Sequence, residues 1–194
     1  GDIPNAGDPF FNFGVENTRF TNTAAANTGS QSLKLFGPFD VIGGGTGFGQ
    51  TLPASAGQIY EASIFALNNS SDPIGGDNFA VAKIEFLDAG LGPVGGSFEL
   101  GVNVFETSPI NGSLPLDKWT PFSVTSNAAP DGTAHVNFIG VHVQLGDGSG
   151  NVAGGSVFLD DANLMLVPEP SSFGLAGLGT VTLIGMLRRR RSNR

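Results

Sequence analysis

Apolar and polar residues alternate along Gln58 to Asn68, with Tyr60, Ala62, Ile64 and Ala66 on one face and Glu61, Ser63 and Phe65 on the other. A period of two marks a half-buried strand and does not fit the 3.6-residue period of a helix. The pattern recurs over Phe79 to Asp88, where Ala82, Ile84 and Phe86 share one parity and Val81, Lys83 and Glu85 the other. Shorter pieces are Ser32–Phe36, Phe98–Phe105, Trp119–Thr125, Ala134–Leu145 and Ser156–Val167, punctuated by Gly, Asn, Asp and Pro. Within Ala134–Leu145, Val136 and Phe138 share a parity that Val141, Val143 and Leu145 do not, so a bulge is expected near Ile139-Gly140. No helical period precedes Ser171, and this many strands at this spacing predict an all-β sandwich or barrel over residues 1–167.

Composition narrows the function classes. Hydrophobic residues make up 40% of the 194, enough for a core in one domain of ordinary size. There is no cysteine, which excludes disulfide scaffolds, thiolate zinc sites and cysteine nucleophiles. Residues 1–167 hold 4 basic and 16 acidic side chains, a net charge of −12. Such a body repels nucleic acid, and no nucleic-acid partner is expected. No charged-then-apolar leader precedes Gly1, which leaves a removed signal peptide and a trimmed sequence as open alternatives.

The C-terminal residues have a different chemistry. Ser171 to Leu187 is a run of 17 uncharged residues, followed at once by Arg188, Arg189, Arg190 and Arg191. As a helix the run would span about 26 Å, slightly under the hydrocarbon core of a bilayer, with the arginines held on the cytoplasmic side. Before it lies Val167-Pro168-Glu169-Pro170-Ser171, whose two prolines force an extended link. Motif, short apolar helix and terminal arginines, in that order, closely resemble the PEP-CTERM sorting tail of bacterial exosortase substrates. The resemblance implies export, a transient inner-membrane anchor over 168–194, processing by an exosortase near Pro168, Glu169 and Pro170, and release to the cell surface or extracellular matrix. It is silent about residues 1–167.

A second resemblance covers about residues 10–167. Asn12-Phe13-Gly14-Val15-Glu16 is followed by Gly29-Ser30-Gln31-Ser32-Leu33-Lys34, Gln50-Thr51-Leu52 and Gly57-Gln58-Ile59-Tyr60-Glu61-Ala62-Ser63. Then come Trp119-Thr120-Pro121-Phe122, Ala129-Pro130-Asp131-Gly132-Thr133-Ala134 and Val157-Phe158-Leu159-Asp160-Asp161-Ala162. In this order the pieces are similar to the jelly-roll β-sandwich of carbohydrate-binding modules and the wider galactose-binding-like group. The opening departs from that group's Asn-Gly-Gly-Phe-Glu pattern, with Val15 where Phe stands. The resemblance implies a structural calcium held by Glu16, by Asp160 or Asp161, and by a carbonyl near Lys34. Calcium takes six to eight hard oxygens, which such groups supply. Neighbouring strand residues point to opposite faces, so Asp160 and Asp161 chelate together only if the strand has already ended. Asp147, in Gly146-Asp147-Gly148-Ser149-Gly150, reads as a turn residue rather than a cation ligand.

Glycan sites stack sugar rings on exposed aromatics and bond hydroxyls with polar side chains. The single Trp and Tyr, Trp119 and Tyr60, fall where the resemblance puts core residues. Candidates for a concave polar face are Glu61, Lys83, Glu85, His142 and Gln144, with Phe65 as the stacking ring; the bland alternative is a solvated sheet face. His135 and His142 accompany no HExxH, GxSxG or GxGxxG motif, the Gly43–Gly49 run lacks a phosphate-loop lysine, and Gly43-Gly44-Gly45 reads as a mobile loop. The expectation is therefore an exported, non-catalytic adhesive or structural sandwich. A polysaccharide-binding module and a secreted hydrolase or lyase are the rivals. The module predicts an exposed aromatic beside polar groups, and a glycosidase predicts a cleft with paired carboxylates.

Overall fold

The period-two segments pair through their backbones, the arrangement that satisfies every inner N–H and C=O of a strand. The computed structural model describes residues 10–13, 19–22, 25–37 and 42–168. Within them run β1 (Phe10–Phe13), β2 (Arg19–Asn22), β3 (Ser32–Phe36), β4 (Gly44–Pro53), β5 (Ile59–Leu67) and β6 (Phe79–Leu87). They are followed by β7 (Val104–Glu106), β8 (Ile110–Asn111), β9 (Thr120–Thr125), β10 (His135–Gln144) and β11 (Ser156–Val167). One sheet has the order β1-β4-β10-β6-β7, with β8 also on β6; the other has β2-β3-β11-β5-β9. All pairings are antiparallel. The chain is thus an all-β two-sheet sandwich.

The core forms where the apolar parities of the two sheets meet. Ala62, Ile64 and Ala66 of β5 join Ala82, Ile84 and Phe86 of β6, Val136 and Phe138 of β10, and Val157 and Leu159 of β11. Phe86 lies between the rings of Tyr60 and Phe105, at 6.1 and 6.0 Å between centroids. Tyr60 is therefore a core residue, as expected; its hydroxyl donates to Gln58 Oε1 at 2.8 Å, and burial raises its pKa. Trp119, just before β9, is half-buried.

Three expectations are corrected. The Gly43-Gly44-Gly45 stretch is mostly strand, not loop: Gly44 opens β4, which pairs with β1 on one side and with β10 on the other. The even residues Phe48 and Leu52 of β4 pack on the core, while Gly45, Gly47 and Gly49 take the outward parity. The glycine content masked a period-two pattern. β10 runs without a bulge, in unbroken register with β4 and β6. Its parity change arises because Ile139 and Val141 bury against Val81 on the outer face, in a second small apolar cluster. On the inner face Gly140 makes room for Phe48; a Cβ there would lie 2.4 Å from that ring. Finally, of Phe98–Phe105 only the last two residues are in β7. The preceding turn is held by Asn103, whose amide bonds Glu99 N–H and the Val94 and Ser97 carbonyls at 2.6–2.8 Å.

Strand polarity sorts the connections between two ends. Loops 54–58, 88–103 and 126–134 and the exit from β11 share one end; the end of β3, the start of β4 and loops 68–78 and 145–155 share the other.

Candidate functional site

The bulge that β10 lacks is in β11. Asp160 pairs with Phe65 and Asn163 with Ser63, so three steps on β11 oppose two on β5. This shift moves the inward parity from Val157 and Leu159 to Leu164. Asp161 takes φ 48°, the left-handed region that Asp tolerates better than most residues. Its carboxylate consequently reaches the same partners as that of Asp160. Asp160 Oδ2 accepts from the backbone N–H of Asn27 at 2.7 Å and of Thr28 at 3.3 Å, and its Oδ1 accepts from Asp161 N–H at 2.8 Å. Asp161 accepts from Asn27 Nδ2 at 2.7 Å and from the Thr28 hydroxyl. The strand has not ended, yet both acids converge on one turn.

This clasp gathers hard oxygen donors, the type calcium selects. No group of three His, Cys, Asp or Glu side chains occurs among the described residues. Glu16, the third expected ligand, lies outside them. Asp147 closes its own turn: its carboxylate accepts from Ser149 and Asn151, and those bonds, Ser149's foremost, lower its pKa to about 2.

The six expected glycan contacts fall in three places. Glu61 and Phe65 take the outward parity of β5, on the outer side of the second sheet. Lys83 and Glu85 take the outward parity of β6, on the other sheet and thus the opposite side of the sandwich, where Lys83 is half-buried but Glu85 is buried and cannot line an exposed face. His142 and Gln144 are completely buried and cannot line an exposed face. The shared strand and polar chemistry hid this, because in β10 the inward parity stays polar beyond Gly140.

On the first sheet's outer side, Lys83 Nζ lies 3.1 Å from Glu85 and 3.9 Å from Glu106. Asn137 is in register with Glu85 and accepts at 2.7 Å from the Thr51 hydroxyl. Thr51, Asn137 and Glu106 were missed because cross-strand register, not spacing, assembles this row. On the second sheet, Lys34 pairs with Asp72 at 2.8 Å and sits 5.4 Å from the Phe158 centroid. Partial burial opposes ionisation of Asp72, but hydrogen bonds from Lys34 and Ser156 outweigh it and lower its pKa.

The buried amides do structural work. Gln144 Nε2 donates to Ala153 O at 2.7 Å; Asn78 bonds Ala153, Gly154 and Leu145 backbone; Asn68 bridges Leu114 and Ile74. His142 differs: neither ring nitrogen has a hydrogen-bond partner, and burial lowers its pKa to about 4, against a smaller opposing pull from Asp72. The other histidine, His135, bonds the Asp88 carbonyl at 3.1 Å through Nδ1.

Comparison with known proteins adds the following. Residues 166–191 match the PEP-CTERM protein-sorting motif. That motif implies export, sorting to the cell surface and processing by an exosortase. No curated protein matches the sequence. Among solved structures, the enzymatically active domain of bacteriophage CBA120 tailspike protein 4 superposes with a TM-score of 0.53 at 16% identity, over 86% of this chain and 21% of that one. The CBM22-1–GH10 modules of Clostridium thermocellum xylanase 10B, complexed with xylohexaose, give 0.53 at 14% identity, over 83% and 26%. A CBM4 structure gives 0.49 at 13%, over 86% and 95%. The chain spans about a fifth and a quarter of the first two proteins, and the likeness to them is one of fold.

Proposed function

We propose that this is an exported, exosortase-processed surface or matrix protein: a non-catalytic adhesive or structural jelly-roll head, residues 1–167, delivered by a tail, residues 168–194. The sorting match carries this reading: it covers residues 166–191 and begins at Leu166, inside β11. The anchor is the apolar run 171–187, stopped by Arg188 to Arg191; Glu169, Pro170, the run and the arginines lie outside the described residues. No helix among the described residues is long and apolar enough to cross a membrane. Fractionation of a host with an active exosortase tests the reading. Full-length protein is expected in the inner membrane and a shorter form outside the cell; a chain lacking residues 168–194 that still partitions with the membrane overturns it.

Polysaccharide recognition is the second reading. It is supported by the half-buried Thr51 and Lys83 on one sheet face, held there by the buried Asn137 and Glu85, and by the xylohexaose carried by a protein of similar fold. A structural calcium at Asp160 and Asp161, completed by Glu16, accompanies either reading.

A further inference from the structure

Large apolar side chains left exposed on this head are unevenly distributed. Eight are exposed among the described residues. Leu91, Phe98, Leu100, Val102, Met165 and Leu166 are at the end where β11 exits, and only Ile42 and Leu116 are at the other. Phe98 is 56% exposed and Leu100 68%.

Their presentation is built in. The N–H groups of Val102, Asn103 and Val104 all donate to the Glu99 carbonyl at 3.1–3.2 Å, and Gly101 N–H donates to Val104 O at 2.7 Å. With the buried Asn103 amide at its centre, this web fixes a turn that holds Phe98, Leu100 and Val102 out in water. Leu91 is exposed too, on a backbone of φ 63°, a conformation that costs a leucine energy. An ordered loop with clustered apolar tips is the form of a contact surface.

The tail springs from the same end. Val167 pairs with Ile59 of β5; alongside β5, Ser126 N–H donates to Tyr60 O, and Asn127 Nδ2 reaches Gly101 O at 3.3 Å. With β5 between β11 and β9, the exit is about two strand spacings, ~10 Å, from β9, and the Asn127 side chain bridges onward to the apolar loop. The link Pro168-Glu169-Pro170 reaches at most ~10 Å before the uncharged run begins. Loops 54–58, 88–103 and 126–134 contain no Lys or Arg but carry Asp88, Glu99 and Asp131. Their contact chemistry is apolar, not an attraction to anionic headgroups.

We infer that this end of the head is a bilayer-contact surface: while the tail is anchored, Phe98, Leu100 and Val102 enter the interfacial layer of the same membrane. The inference rests on the anchor reading of the tail. The chain has no cysteine, so single labels are clean. Full-length Leu100→Cys, Leu116→Cys and Leu178→Cys, each carrying an environment-sensitive fluorophore, are reconstituted into phosphatidylcholine vesicles with and without doxyl-labelled lipid. The probes at 178 and 100 should brighten several-fold and be quenched by doxyl lipid, with no gain from added anionic lipid and no loss in high salt, while the probe at 116 stays aqueous. Quenching at 178 without quenching at 100 overturns the contact surface and leaves the anchor standing, including the case in which a second copy shields Leu100. No quenching at either position overturns both.

Discussion

His142 occupies the inward parity of β10 with both ring nitrogens buried and unbonded, a costly state for a titratable group. Its folded pKa, about 4, is below the ordinary 6.5, so the unfolded chain binds the extra proton first. The contribution is fully present above pH 6.5 and is lost as pH falls toward 4, amounting to about 3 kcal/mol. Urea unfolding at pH 7 and pH 4 measures it, and His142→Leu should lose less stability over that interval by this amount. Gly155 gives a second test at this scale. At φ 97°, its added Cβ would stand 2.0 Å from the Pro73 carbonyl oxygen, whereas neighbouring Gly154 has open space. Gly155→Ala should destabilise by about 3 kcal/mol and Gly154→Ala by far less, read from urea midpoints. Neither difference is legible in the sequence, where the two glycines are adjacent and alike; a loop from a distant segment distinguishes them.

At the scale of elements, the β11 bulge makes one strand serve two purposes: core packing on each side and, between, a pair of acids aimed at Asn27 and Thr28. Asp160→Ala leaves the Asn27, Thr28 and Asp161 N–H groups without that acceptor and should cost about 1–3 kcal/mol. Calcium at the clasp should raise the melting temperature of the wild type. That gain should vanish with chelator and in both Asp160→Ala and Asp161→Ala; a melt indifferent to calcium rejects the metal. Most strands were legible because burial on one face writes a period of two into the chain, as in β5. The exceptions have physical causes. β4 alternates with glycine, which carries no hydropathy signal. β10 is apolar on both faces, which imitates a slipped parity. The segment before β7 alternates only because its apolar residues are displayed on a turn.

For the whole molecule, a glycan array separates the two readings of the head. Binding that is lost in Lys83→Ala supports recognition on the first sheet's outer side; silence across the array supports an adhesive or structural role. The expected contacts on β5 and β6 dispersed because these strands, consecutive in the chain, belong to different sheets, whereas His142 and Gln144 are buried on the inward parity of β10. The outward parities of β5 and β6 therefore look in opposite directions. From the sequence by itself came the all-β class, most strands, the Tyr60 core position and the sorting tail, all written in local order: a period of two, a Pro-Glu-Pro link, an uncharged run ending in arginines. Only the tertiary structure decided which polar residues share a surface, where the bulge falls, and that the exposed apolar loop and the tail leave from one end. Those facts depend on pairing between segments far apart in the chain, and such pairing is fixed by the closing of two sheets on one core.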